Sequence, residues 1–230
     1  MRRHIRSTRA FALAGLCGLL LVGCAGAGEG GGNNRAVGSG LIVEDQPELT
    51  GFSGVHVGFG VYATITVGPT ELVKIRGDDN LLALIHWKVK DGVLTADRDA
   101  AWESFQPTEP LRLTVVTPRL TRLKVTGGSH ANASGVESPG FSLDASAGSE
   151  VTISGRAGQL VLEASGGSWV DLRDFPVEGL DIEASGGSHV RANVSGQLTG
   201  QLSGGSELTC DGQPYSRLVS TSGGSGVTYP

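Results

Sequence analysis

Two histidines, His130 and His189, a tryptophan and a glutamate, Trp169 and Glu150, and a set of carboxylates are the residues of this 230-residue chain whose types and spacing could do chemistry. Each of the two histidines directly follows the serine that closes a Gly-Ser repeat, and three repeats separate them. If each repeat is one layer of stacked strands, they lie about 14 Å apart. Protein ligands sit about 2 Å from a metal ion, so these imidazoles cannot share one. His56 and His86, the latter beside Trp87, fall in a less regular half and read as surface or half-buried residues. Asp144, Glu163 and Glu183 hold equivalent positions before successive turns. Stacked, they would align like charges on one outer edge, which is unfavourable. A calcium ion would relieve the repulsion. Water and salt, with Lys124 and Gln201 flanking the column, would do so without a metal, and that is the preferred reading. No cofactor is expected. Asp171 and Arg191 are the one outward acid–base neighbour pair, and an exposed ion pair of this kind contributes little. No Ser/His/Asp set assembles from the spacing. Trp169 is expected to point outward between Glu150 and His189, where an indole flanked by polar groups suits stacking on a sugar ring or covering a neighbouring coil. Trp169, Glu150 and His189 are therefore the candidate ligand-binding residues.

The elements that would position these residues come from a repeat. Its closing serines are Ser129, Ser149, Ser168, Ser188, Ser206 and Ser225, separated by 20, 19, 20, 18 and 19 residues. A period of this length without 3.6-residue periodicity excludes helical-hairpin repeats. Apolar and polar residues alternate instead, as in Leu160-Val161-Leu162-Glu163-Ala164, which is the pattern of strands with one buried face. The second position after each serine holds Ala131, Val151, Val170, Val190, Leu208 and Val227. The fourth holds Ala133, Ile153, Leu172, Ala192, Cys210 and Tyr229. Both columns should point inward, as should Leu123, Leu143, Leu162 and Ile182 before the glycines. The glycines turn the chain at positive φ, and the serines bond along the stack or to the turn backbone. Linkers do not hold such a register, and a phosphate-binding loop would end in Gly-Lys-Ser/Thr. The expected fold is all-β: a right-handed parallel β-helix or β-solenoid, one domain with about 19 residues per coil.

The first half alternates less cleanly and reads as degenerate early coils, with residues 100–110 the expected excursion. Counting both halves gives about ten coils, stacked to about 45 Å.

Arg2, Arg3, Arg6 and Arg9 precede an apolar stretch from Phe11 to Val22, too short for a comfortable membrane span and suited to a secretory signal. It ends in Leu21-Val22-Gly23-Cys24, which resembles a bacterial lipoprotein signal, where the cysteine becomes the lipidated first residue. Residues 1–23 are then the signal, 24–38 a lipidated Cys24 with a Gly-rich tether, and 39–230 the folded head. The resemblance implies anchoring through lipid, and, by analogy with such lipoproteins, Ala25 in place of aspartate implies the outer membrane, at its periplasmic or surface face. Four of the 18 basic residues and none of the 23 acidic ones lie in 1–23, so removal leaves 14 against 23, a formal charge of −9. That balance, without a basic run, excludes nucleic-acid binding. Cys17 departs with the signal, and Cys210 reads as a small core hydrophobe.

The stretch Phe52-Ser53-Gly54-Val55, then Thr64-Ile65-Thr66-Val67, then Leu72-Val73-Lys74-Ile75-Arg76-Gly77-Asp78-Asp79-Asn80-Leu81-Leu82, then Val89-Lys90-Asp91-Gly92-Val93-Leu94, followed by Gly-Ser coils, resembles the family called "putative auto-transporter adhesin, head GIN domain". The likeness covers about residues 50–228. It implies an exported bacterial β-helical protein, often a lipoprotein, and carries over no catalytic residues. The expected function is a non-catalytic envelope binding or scaffold module that recognises a glycan or another envelope protein. The competing readings are a polysaccharide-processing enzyme on a β-helix and a periplasmic stress or signalling component.

Overall fold

The computed structural model describes residues 35–98 and 104–230. The expected signal, Cys24 and most of the tether lie outside the described residues. The folded region reaches back a few residues further than the boundary expected at 39, because Arg35–Val37 already forms a strand.

In chain order the elements are β1 (Arg35–Val37), β2 (Ile42–Asp45), β3 (Gly54–Val57), β4 (Tyr62–Val67) and β5 (Leu72–Asp78), then a single helical turn, α1 (Asp79–Leu82). There follow β6 (Ile85–Lys90), β7 (Val93–Arg98), β8 (Ser104–Gln106), β9 (Arg112–Thr117) and β10 (Arg122–Val125). The long strands β11 (His130–Ala145), β12 (Glu150–Ala164), β13 (Trp169–Ala184) and β14 (His189–Leu202) come next, and β15 (Glu207–Cys210), β16 (Ser216–Thr221) and β17 (Gly226–Thr228) end the chain. They form a β-solenoid of about 5 turns with roughly 20 residues per turn. No helix among the described residues is long and apolar enough to cross a membrane.

The two strands of each coil are joined not by a loop but by a bend within one long strand. Register shifts mark it between Ala133 and Val136, between Thr152 and Ala157, and between Leu172 and Val177. The two halves of β11 have different upstream partners, β4 for the first and β10 for the second. Two stacks result. The first runs β2, β5, β9, β4, the opening halves of β11 to β14, β15 and β17. The second runs β6, β7, β3, β10, the closing halves of β11 to β14, and β16.

The inward columns form as the alternation requires except in the last coil, where Tyr229, expected inward, is exposed and Val227 is half-buried. Val151, Val170, Ile153, Leu162 and Ile182 are fully buried, and Cys210 is free and buried among them. Where the third column thins, at Gly200, the backbone has φ 141°, and an added Cβ would lie 1.9 Å from the Ile182 carbonyl oxygen. The close approach of the two backbones excludes any side chain there. At each coil-closing turn both central residues have positive φ, as at Gly166 (62°) and Gly167 (75°). Ala147 holds the same conformation (56°) in the one turn that lacks the first glycine. The closing serines Ser168, Ser188 and Ser206 point inward and donate back across the turn: Ser188 to the Ser185 carbonyl (2.8 Å), Ser206 to that of Ser203 (2.9 Å), and Ser168 to that of Ser165. Backbone bonds run between turns as well, with the Gly167 N–H donating to the Gly186 carbonyl (2.9 Å). The Gly-Ser repeat is thus a corner held by its own serine and by the corner next to it.

The count of ten coils is corrected to about five. Residues 41–125 do not continue the coil uniformly. β5 runs antiparallel to β9, and β2 runs antiparallel to β5. β6 and β7 form a hairpin closed at Asp91 and Gly92, both at positive φ (51° and 73°). Alternation has the same period of two in parallel and antiparallel strands, so pattern alone could not separate coils from hairpins. Of the expected excursion, the described residues include β8, which pairs in parallel with β1 in a separate two-stranded sheet.

The Gly-Asp-Asp-Asn-Leu-Leu stretch is a polar clasp at this end. Asp78 is fully buried and accepts bonds from the Gly40 N–H (2.8 Å), the Thr108 N–H (2.9 Å) and the Thr108 hydroxyl (2.6 Å). Burial pushes its carboxyl upward, but these donors outweigh burial and hold it below the usual carboxylate range. Asn80 donates to the Val37 carbonyl (2.8 Å) and accepts from the Ser39 N–H (2.9 Å). An added Cβ at Gly38 would lie 2.4 Å from the Asp78 carboxylate, so the segment can approach the clasp only as glycine. At the other end, Arg217 takes the rung after Leu198, and its guanidinium carbon lies 4.1 Å from the centroid of the Tyr229 ring. A cation–π pair stands there where the next coil would supply apolar residues.

Candidate functional site

Strand alternation aims every second residue of the first stack outward, and parallel pairing puts equivalent residues one above another. One outward ladder reads, rung by rung, Arg112, Tyr62, His130, Glu150, Trp169, His189 and Glu207. It contains the order aromatic, histidine, glutamate twice. The Tyr62 and His130 rings lie 4.4 Å apart at 6°, and His130 Nε2 is 3.3 Å from Glu150. The Trp169 and His189 rings lie 5.5 Å apart at 20°, and His189 Nε2 is 3.6 Å from Glu207. Each His–Glu contact is an ion pair only when the imidazole is protonated.

Centroids 4.4 Å apart in nearly parallel rings require face-to-face overlap, so the Tyr62 face is turned along the stack and its edge outward. The wider 5.5 Å contact leaves more of the indole uncovered: Trp169 is 53% exposed against 40% for Tyr62. Around Tyr62 the short side chains of Thr64 and Thr114 leave a shallow depression of about 290 Å³, reaching from Arg112 to Glu150.

Trp169, Glu150 and His189 therefore occupy three adjacent rungs and point outward together. The sequence reading missed Tyr62, Arg112 and Glu207 as members of the same ladder. The signal was present for Tyr62: Ala63 and Ile65 stand at the offsets of Ala131 and Ala133, and these residues are the observed register partners. No serine closes a repeat before Tyr62, so counting serines passed over it.

Asp171 and Arg191 are register partners, as expected, but they do not form the ion pair expected of them. Asp171 is bound by Arg173, two residues along its own strand (Nη2 2.6 Å), and Arg191 is bidentate on Asp211 (2.6 and 2.8 Å). The hydrogen bonds from Arg173 and Arg191 hold the Asp171 and Asp211 carboxyls low. Asp171 is taken by an arginine of its own strand, and Arg191 by an acid of the next coil.

On the second stack the outward column is His56, Lys124, Asp144, Glu163, Glu183 and Gln201. Lys124 is bound to Asp144. Burial, with Lys124 beside it, lowers the His56 imidazole from its ordinary value. The Asp144, Glu163 and Glu183 column forms in register and borders a depression of about 260 Å³. Its carboxylates stand one per rung and do not converge, and among the described residues no group of three or more His, Cys, Asp or Glu is placed to hold a metal ion. His86 is exposed, and Trp87 is half-buried against the core.

A largely parallel β-solenoid that displays an aromatic and charged ladder on a continuous outward face defines a class, the β-solenoid repeat scaffold. Residues 51–214 match the family model described as "Putative auto-transporter adhesin, head GIN domain", and the chain belongs to that family. Among solved structures, one described as a putative adhesin from Bacteroides fragilis is 15% identical, with a TM-score of 0.70 over 84% of this chain and 98% of that one. Another so described, from Parabacteroides merdae, is 16% identical, with a TM-score of 0.58 over 85% and 98%. A third, described as a putative lipid binding protein from Parabacteroides distasonis, is 11% identical, with a TM-score of 0.50 over 84% and 98%. At these identities the likeness is one of fold. No curated protein matches the chain.

Proposed function

We propose that this protein is a non-catalytic recognition module of the bacterial envelope, adhesin-like in use, tethered to the outer membrane by lipid on Cys24 and binding glycan along its outward ladder. The observation that carries the reading is Trp169: a half-exposed indole on a rigid strand, with Glu150 on one adjoining rung and His189 on the other. Sugars meet indoles through their apolar C–H faces while their hydroxyls bond to flanking carboxylates. The family description is in keeping with a contact role. Catalysis finds less support, because Asp171 and Arg191, the acid–base neighbours on this face, are each committed to another partner.

The test is a glycan array that includes peptidoglycan fragments, probed with the full chain and with Trp169→Ala. Specific binding that the substitution abolishes is expected. Absence of binding to every glycan would overturn the reading in favour of a protein-binding scaffold. For the anchor, Cys24→Ser should move the protein from the membrane fraction to the soluble one, and continued pelleting after a carbonate wash would refute lipidation.

A further inference from the structure

The two aromatic–histidine–glutamate units on the ladder are alike within and opposite at their open ends. Each aromatic ring has one face on its histidine and the other turned toward the preceding rung. For Tyr62 that rung is Arg112, and for Trp169 it is Glu150. The uncovered tyrosine face therefore looks toward a cation of the protein's own, while the uncovered indole face looks toward a carboxylate. An aromatic face attracts a cation through its quadrupole, and tryptophan does so most strongly. A carboxylate one strand away, about 4.8 Å along the stack, adds a charged acceptor for the same group. Glu150 meets His130 on its other side (3.3 Å), but its side chain is 56% exposed and a carboxylate accepts several bonds, so it keeps acceptor capacity for a ligand. The nearby arginines do not cancel it: Arg173 and Arg191 are bound to Asp171 and Asp211.

Resting on the glycan reading above, we propose that Glu150 and Trp169 together bind a protonated amine carried on a sugar, so that the ligand is a glycan with free amino groups rather than a neutral or N-acetylated one. The acidic balance of the chain favours the approach of such a polymer. The ammonium sits over the indole and donates to Glu150, and the sugar ring beyond it crosses the adjoining rungs.

Titration of the full chain with a glucosamine hexamer, an N-acetylglucosamine hexamer and hexalysine tests this directly. The free-amine sugar should bind about tenfold or more tightly than its acetylated counterpart, because acetylation removes the charge. Trp169→Ala and the near-isosteric Glu150→Gln should each weaken it about fivefold or more, with unchanged thermal melting showing that both variants fold. Glu163→Gln, which removes the same charge from the second stack and not from the ladder, should leave it unchanged. Equal affinity for the acetylated and free sugars would sink the amine proposal and leave the glycan reading standing, as would binding of other array glycans but not this one. Hexalysine binding as tightly as the amino sugar would overturn the assignment to a sugar. Failure of every glycan would remove the glycan reading itself.

Discussion

The coils from Thr126 onward and the strands before them build the same two stacks by different means. Among the later coils a single corner recurs, with glycines at positive φ and a serine folded back on the turn, and each coil rests only on its neighbours. Among the earlier strands the chain runs both ways, and unique side chains hold the end: Asp78 gathers Gly40 and Thr108, and Asn80 ties down the backbone at Val37 and Ser39. A repeat can stabilise its interior by repetition, but its first layer has no predecessor. The antiparallel strands and the clasp meet that need at one end, and the Arg217–Tyr229 pair meets it at the other.

The largest expected effect comes from breaking the repeat where it is most repetitive. Val170 is fully buried between Val151 and Val190, so Val170→Asp places an unpaired charge in the column. Loss of strand signal and rapid proteolysis across several coils should follow, and an unaltered melting curve would contradict the inward register. Cutting the clasp should be smaller and local. Asp78→Ala removes three half-buried hydrogen bonds donated by Gly40 and Thr108, at a cost of about 2 to 3 kcal/mol. Hydrogen exchange should rise at residues 37–41 and 106–109 while the coils after Thr126 keep their protection; uniform loss of protection would mean that the two regions unfold as one.

Acid should act on the same clasp. The folded-state pKa of Asp78 is depressed, so its contribution is present above the unfolded value of about 4 and is lost as pH falls through the folded one. The exchange difference between Asp78→Ala and the parent should therefore narrow below about pH 4.

The smallest effects compare one corner with its neighbours. Ser188→Ala removes a turn bond and should cost about 1 kcal/mol. Ser149→Ala should cost almost nothing, because the buried Ser149 hydroxyl has no partner. Ala147→Gly relieves a positive φ against the added flexibility of glycine and should stabilise by about 0.5 kcal/mol. Equal melting shifts for the two serine variants would show that the turn bond is not what the serine supplies.

How much was legible follows the same division. The inward columns through Val170 and Leu172, the outward aim of Trp169 and its neighbours Glu150 and His189 could all be read from the repeat, since a fixed register makes spacing equivalent to position. Tyr62 left only the trace of Ala63 and Ile65 at the offsets of Ala131 and Ala133, and Arg112 left none, because both reach the ladder through long-range pairing from a segment where no serine closes a repeat. The partners of Asp171 and Arg191 were misread because charges choose among neighbours by side-chain reach, and register limits that choice without making it.

By itself the sequence determined the strands, their buried faces, the corners and the stacking order of the later coils, because period-two alternation and glycine conformations are local properties summed in register. Only the tertiary structure decided the direction of the early strands, the closure of the Asp78 clasp and which charge stands before each aromatic ring. Those depend on which distant segments meet, and no local periodicity encodes that meeting.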